Sequence, residues 1–237
     1  MADAPAGNDP DDLDELIRRV DPDRWLTSRF ISDRAARTDV VALYAYDHEL
    51  ARARRIGSTA LMAEIRLTWW REALDEIFER RAVRRHPTAD ALAAAVGRHG
   101  LPREPLEAMI DGQIEALGVA TLDAAAAVRW ADATQGSAAR LAAQTLDPAS
   151  AAAAVAPAGR AWGLALAVRT GLASRQAASA PLRSALAEAR AAARSLSLAA
   201  LPAALPARIA RFDLAGRSPG PFAKRLSLVW ASATGRI

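Results

Sequence analysis

Residues 37–78 read RTDVVALYAYDHELARARRIGSTALMAEIRLTWWREALDEIF, and their pattern decides the fold class. The stretch divides into two amphipathic helices at Gly57-Ser58-Thr59. Val40, Leu43, Tyr44, Leu50 and Ala51 recur at helical spacing in the first. Leu61, Met62, Ile65, Trp69, Ala73, Leu74, Ile77 and Phe78 do so in the second. Gly57 is a natural end for the first helix. Ser58 or Thr59 can cap the second, whose first backbone N–H groups need a side-chain acceptor. Asp47, His48, Glu49, Arg52, Arg54 and Arg55 crowd the last turns of the first helix, so an apolar helix turns polar abruptly. Trp69 and Trp70 are consecutive and cannot both face inward, which predicts one in the core and one lining a groove.

The rest of the composition points the same way. In 237 residues, 51% are hydrophobic and aromatics are scarce at 5%. Alanine, the best helix former, dominates the apolar count, and the β-branched and aromatic runs of strands are missing. The reading is an all-α, single-domain helical protein, with residues 1–12 as a disordered acidic lead and 13–237 as the helical domain. The formal charge is +4, carried almost wholly by arginine, since Lys224 is the only lysine. Arginine forks onto carboxylate and phosphate, so phosphorylated ligands and anionic headgroups suit it. The bland alternative is a compositional bias with no partner behind it. With no cysteine, disulfides, thiolate nucleophiles and cysteine metal sites are excluded. His48, His86 and His99 are too scattered for a histidine zinc site. The acidic N-terminus resembles neither a signal peptide nor a transit peptide. The most apolar run, residues 149–168, is broken by Pro157 and Arg160 and falls short of a membrane span.

Along the chain, residues 13–20 form a short amphipathic segment stopped at Asp21-Pro22. RWLTSRFIS (24–32) leads into the first organising helix. Arg80, Arg81, Arg84 and Arg85 read as a solvated helix end. Thr88 caps a helix closed by Gly100. Pro102 and Pro105 open the next, on which Asp111 and Glu115 lie four apart and share a face. Thr121 with Asp123 opens a longer helix to Leu146. Residues 151–172 form a helix nicked at Pro157, Pro181 starts another, and Phe222 to Ala233 is the last.

The motifs DRWLTSRF, ALYAYDHELARARR, LMAEIRLTWWREALDEIF, MIDGQIEAL, ADATQGSAARLAAQTL, GRAWGLALAVR and LPAALPARIARF occur in an order that resembles the squalene/phytoene synthase family. That family comprises the head-to-head prenyl synthases of the isoprenoid-synthase fold, a helical bundle around a central apolar pocket. Within it, YAYDHELAR and ATQGSAARL look more like the branch of the mitochondrial complex I assembly factor and its bacterial relatives than like the carotenoid or hopanoid enzymes.

The resemblance implies two aspartate-rich motifs on facing helices, holding Mg²⁺ against a prenyl diphosphate. The first falls on Ala51-Arg52-Ala53-Arg54-Arg55, where the expected carboxylates line up with Ala51, Arg52 and Arg55. The second falls on Arg169-Thr170-Gly171-Leu172-Ala173-Ser174. There Arg169 matches the family's arginine, and Thr170 and Ser174 stand for its aspartates. The expected outcome is a lost metal site, with no catalytic residue and no metal ligand. The candidate pocket or phosphate contacts are Tyr44, Asp47, Glu49, Arg52, Arg55, Arg66, Asp111, Glu115, Gln135 and Arg169. For the arginines the alternative is a solvated or ion-paired helix end. For Asp111 and Glu115 it is a buried ion pair with Arg37, Arg66 or Arg52, and for Thr134 and Gln135 it is hydrogen bonding between helices.

The main functional expectation is a squalene/phytoene synthase-like pseudoenzyme, binding isoprenoid or lipid or assisting respiratory complex I assembly. The alternative is an active prenyl diphosphate transferase of isoprenoid biosynthesis. No cofactor is expected, with Mg²⁺ required only by the transferase. The expected partners are a prenyl diphosphate or lipid, or complex I subunits, with peripheral membrane contact and no nucleic acid. The expected location is the cytoplasm, peripheral to the inner membrane.

Overall fold

In the computed structural model, which describes residues 10–56, 59–149, 152–217 and 219–237, helices succeed one another with short connections. They are α1 (Pro10–Val20), α2 (Pro22–Ser28), α3 (Arg34–Ile56), α4 (Ala60–Phe78), α5 (Pro87–His99), α6 (Arg103–Glu115), α7 (Ala124–Ala131) and α8 (Ser137–Leu146). They continue as α9 (Ala152–Arg169), α10 (Arg175–Ala192), α11 (Leu201–Ala204), α12 (Pro206–Leu214) and α13 (Pro221–Thr234). Pro10 to Asp12, read from sequence as part of the acidic lead, form the first turn of α1. The rest of that lead, and the Gly57-Ser58 joint, lie outside the described residues.

Local chemistry accounts for the boundaries. Asp21 accepts from the Arg24 backbone N–H, and Pro22 supplies a pre-set φ at the start of α2. Thr59 caps α4 by accepting from Met62 N–H. His86, rather than Thr88, caps α5, and Gly100 ends it at φ 58°, where a side chain would be strained. Ser174 caps α10, so Pro181 lies inside that helix and does not start it. Pro157 also lies inside its helix, α9, whereas Pro202 and Pro206 sit in the first turns of α11 and α12 and divide them. Between α7 and α8 the chain continues through a π-helical turn, Asp132–Gly136. Periodicity had read this region as one uninterrupted helix.

Two long helices organise the bundle. α3 packs on α1, α4, α5, α6 and α8, while α9 packs on α7, α8, α10, α12 and the π turn. The close approach of α9 to the π turn depends on missing side chains. A Cβ at Gly159 would lie 2.5 Å from the Gln135 carbonyl oxygen, and one at Gly163 would lie 2.7 Å from Ala131 Cβ. The core is continuous: Leu43, Tyr46, Leu50, Leu67, Leu74, Leu106, Ile110, Leu141 and Leu164 are fully buried. Each such side chain contributes about 1.5–3 kcal/mol by leaving water.

α4 corrects the sequence reading. Its buried residues are Ala63, Leu67, Trp70, Ala73, Leu74 and Ile77, whereas Leu61, Met62 and Ile65 are exposed. Trp70 is buried against Tyr46 at 5.3 Å and Trp69 is half-buried, but both line one groove, so the expected division between core and groove is only partial.

Candidate functional site

Between α2, α3 and the π turn lies a buried polar knot. Arg24 donates from Nε to Asp21, from Nη2 to Asp47 Oδ2 at 2.7 Å and from Nη1 to Gln135 Oε1 at 2.9 Å. Gln135 Nε2 donates to the other Asp47 oxygen at 2.8 Å. The guanidinium also lies over the Tyr44 ring, 4.7 Å from its centroid. All of Arg24, Tyr44, Asp47 and Gln135 are buried. Burial alone would lower the Arg24 pKa, but the Asp21 and Asp47 charges overcome it and the net shift is upward. Burial likewise pushes the Tyr44 phenol up to about 12. The π turn is what aims Gln135 into this knot. Thr134 does not reach another helix, donating instead to the Trp130 carbonyl of its own turn.

A second cluster forms at the C-terminal end of α9. Arg169 donates to both oxygens of Asp213 at 2.8 and 2.6 Å and to Asp23 at 3.0 Å, with its guanidinium over the Trp162 ring. Lys224 reaches the other Asp23 oxygen at 2.6 Å. Burial opposes the Arg169 charge, yet the Asp213 bonds and the two carboxylates raise its pKa. Arg169 is thus tied into an ion-pair chain linking α2, α9, α12 and α13.

The positions that the resemblance aligns with aspartate-rich motifs are Ala51, Arg52 and Arg55 on α3, and Thr170 and Ser174 just after α9. Thr170 donates to the Leu166 carbonyl, and Ser174 is occupied as the α10 cap. Mg²⁺ takes hard oxygen ligands with at least one or two carboxylates. Methyl and guanidinium groups supply none, and the nearby Asp47 carboxylate already accepts from Arg24 and Gln135. The residues present therefore do not fit the ion. Among the described residues, no group of three or more His, Cys, Asp or Glu side chains is placed to hold a metal.

The remaining predicted residues are dispersed. Glu49, Arg52 and Arg66 line a groove of about 380 Å³ between α3 and α4, with Ala53, Ile56, Ile65, Trp69, Trp70 and His86. Arg52 pairs with Glu49 at 3.2 Å, while Arg66 Nη1 is buried without a hydrogen-bond partner. Burial lowers the His86 pKa, which favours the neutral imidazole in this wall. Arg55 is exposed at the end of α3, and Arg54 donates to Gln113 at 2.9 Å. Asp111 and Glu115 do share a face of α6, but an exposed one. The expected buried pair is absent there, and Asp111 instead meets Arg71 at 2.6 Å.

Sequence reasoning did not single out Asp21, Asp23, Arg24, Asp213 or Lys224. Arg24 carried a signal, being a lone arginine in the short helix that follows a capping Asp-Pro. Asp213 carried none, because its partner is 44 positions away. In the arginine run after α4, Arg80, Arg81 and Arg85 are exposed as expected, and only Arg84 departs from a solvated end. Arg84 holds Glu76 through side-chain and backbone donors, reaches Glu72 and stacks over Trp69. Those bonds lower the Glu76 pKa from 4.5 to about 2.

With this geometry in view, the comparisons with known proteins are direct. The model of the squalene/phytoene synthase family matches residues 17–173, and the chain belongs to that family. Its fold is the all-α isoprenoid-synthase bundle. A crystal structure of a dehydrosqualene synthase in complex with ligand superposes with a TM-score of 0.76 at 13% identity, covering 94% of this chain and 95% of that one. The squalene synthase HpnC from Alicyclobacillus acidocaldarius gives 0.69 at 14% identity, with 97% and 94% covered. No curated protein matches the sequence. No described helix is long and apolar enough to cross a membrane.

Proposed function

We propose that this chain is a non-catalytic member of its family, one that keeps the bundle and has given up diphosphate ionisation. The observation that carries the reading is the charge reversal at the end of α3. Where two opposed carboxylate sets would neutralise a leaving pyrophosphate, α3 presents Ala51, Arg52 and Arg55, and α9 presents an arginine already clamped by Asp23 and Asp213. A guanidinium cannot replace a metal ligand, so the change is one of sign and not of degree.

In this reading the protein serves as an isoprenoid- or lipid-binding protein or as an assembly protein for respiratory complex I. The second role is supported by the resemblance of YAYDHELAR and ATQGSAARL to the assembly-factor branch. The first is supported by the cationic α3 end, where Arg55 and the groove residue Arg66 leave charge for a phosphate or headgroup without metal. The competing reading, an active head-to-head prenyl transferase, draws on the likeness to two synthases along almost the whole chain. Fold alone is a weak guide to chemistry.

Incubation with farnesyl or geranylgeranyl diphosphate, Mg²⁺ and reduced nicotinamide cofactor separates the two. The expected result is pyrophosphate at the level of the protein-free blank. Turnover well above it would establish the transferase. For the assembly role, deletion of the gene should lower the amount of assembled NADH:quinone oxidoreductase, and unchanged levels would remove that support.

A further inference from the structure

α13 is apolar on two sides, and only one of them meets the protein. Leu228 and Ala231 are buried, whereas Phe222, Leu226, Val229 and Trp230 are 79%, 61%, 54% and 43% exposed. Their spacing of four, three and one residues lays them along one stripe of the helix. Helical spacing places Leu226, Leu228, Val229 and Trp230 on the last helix without saying which of them is covered. The structure splits them.

The stripe has basic flanks. Arg225 stands one turn before Val229 and is exposed, and Arg208 of α12 stacks over the Trp230 ring at 4.8 Å while bonding Ser227. Residues 214–237 contain no Asp or Glu, but they do contain Arg217, Lys224, Arg225 and Arg236. The helix is also mounted firmly. Lys224 bonds Asp23, which in turn bonds Arg169, so the helix start is pinned to α2 and α9. The buried Ile237 anchors the other end.

We infer that the outward face of α13 docks the protein on an anionic lipid surface, with Phe222, Leu226, Val229 and Trp230 entering the headgroup boundary and the arginines meeting lipid phosphates. Aromatic and aliphatic side chains backed by arginine are the make-up of interfacial helices, and tryptophan favours that depth. Arginine stems can lie along apolar surface while their heads reach phosphate. A second copy of this chain fits the face poorly. The four large side chains offer on the order of 400 Å², against the ~800 Å² per partner of a stable interface. Two such cationic faces would also repel one another. The inference does not depend on whether the chain is catalytic, since neither the polar knot nor the α3 end takes part.

The test is co-sedimentation of the full-length protein with vesicles of pure phosphatidylcholine and of an equal mixture with phosphatidylglycerol. Binding is expected to the mixed vesicles, to weaken tenfold or more in high salt, and to fall at least tenfold in Leu226→Asp and in Trp230→Ser. Cooperative thermal unfolding of both variants checks that the bundle stays intact. Arg225→Glu, distant from any core contact, should weaken binding several-fold and covers the case in which the apolar variants unfold. Equal binding to neutral vesicles, binding unchanged by all three substitutions, or no binding would overturn the inference. So would a concentration-dependent dimer that Leu226→Asp dissolves, which would assign the face to a second copy.

Discussion

The buried knot around Arg24 and the groove between α3 and α4 are built from the same side chains: arginine, carboxylate and aromatic rings. They differ in saturation. In the knot each guanidinium nitrogen has a partner, and both Asp47 oxygens accept. In the groove Arg66 keeps a buried nitrogen with none, and Arg52 shares Glu49 near solvent. The difference separates a charge that holds the fold together from one left open for something else.

The same substitution at both places should give opposite results. Arg24→Met leaves Asp21 and Asp47 buried beside an apolar chain. Breaking a buried pair from one side costs about 3–5 kcal/mol, which for a chain of this size lowers the unfolding midpoint by roughly 10 °C. Arg66→Met removes a nitrogen that pays for burial with no bond. It should leave stability unchanged or raise it by about 1 kcal/mol, seen in the same thermal scan. A large loss at Arg66 would mean the groove is as structural as the knot.

Gly159→Ala probes the knot from behind. The new methyl group meets the Gln135 carbonyl and Ala139, so α9 must move away from the π turn. Overpacking of this kind costs about 1–3 kcal/mol and outweighs the gain in helix propensity. Chemical denaturation of Gly159→Ala against the parent measures it.

A pH effect of intermediate size comes from the end of α4. Arg84 holds Glu76 at a pKa of about 2 against 4.5 in the unfolded chain. As pH falls below about 4.5 the unfolded state takes the proton first, so the stabilisation is complete above that value and is lost toward about pH 2. Glu76→Gln should flatten the fall of the unfolding midpoint in this window. Smallest of all, Asp111→Asn should shift stability by less than about 1 kcal/mol, because its pair with Arg71 is exposed.

How far residues alone could lead is visible in α3 and α4. The helical periods and the Thr59 cap followed from spacing. The buried face of α4 did not. Leu61, Met62, Ile65 and Trp69 repeat as faithfully as Ala63, Leu67, Trp70, Leu74 and Ile77. When a helix carries apolar residues on two sides, periodicity cannot say which one is covered. α13 raised the same ambiguity. The candidate site could be read from sequence only as side-chain chemistry, as at Ala51, Arg52, Arg55, Thr170 and Ser174. It was illegible where function depends on pairing across the bundle. Asp47 looked like a surviving carboxylate, and only the fold shows Arg24 and Gln135 consuming it. The π turn that delivers Gln135 leaves no mark in helical spacing, because neighbouring contacts stabilise it.

The central claim is that the middle of this bundle is closed by ion pairs and does not hold magnesium against a diphosphate. Thermal unfolding of the full-length protein with farnesyl diphosphate, with and without Mg²⁺, tests it most directly, because a ligand that binds only the folded state raises the midpoint by mass action. The account predicts no Mg²⁺-dependent rise, whatever the diphosphate does alone through the exposed arginines. A midpoint that climbs with Mg²⁺ only when the prenyl diphosphate is present, and that falls back in Asp47→Asn, would contradict it.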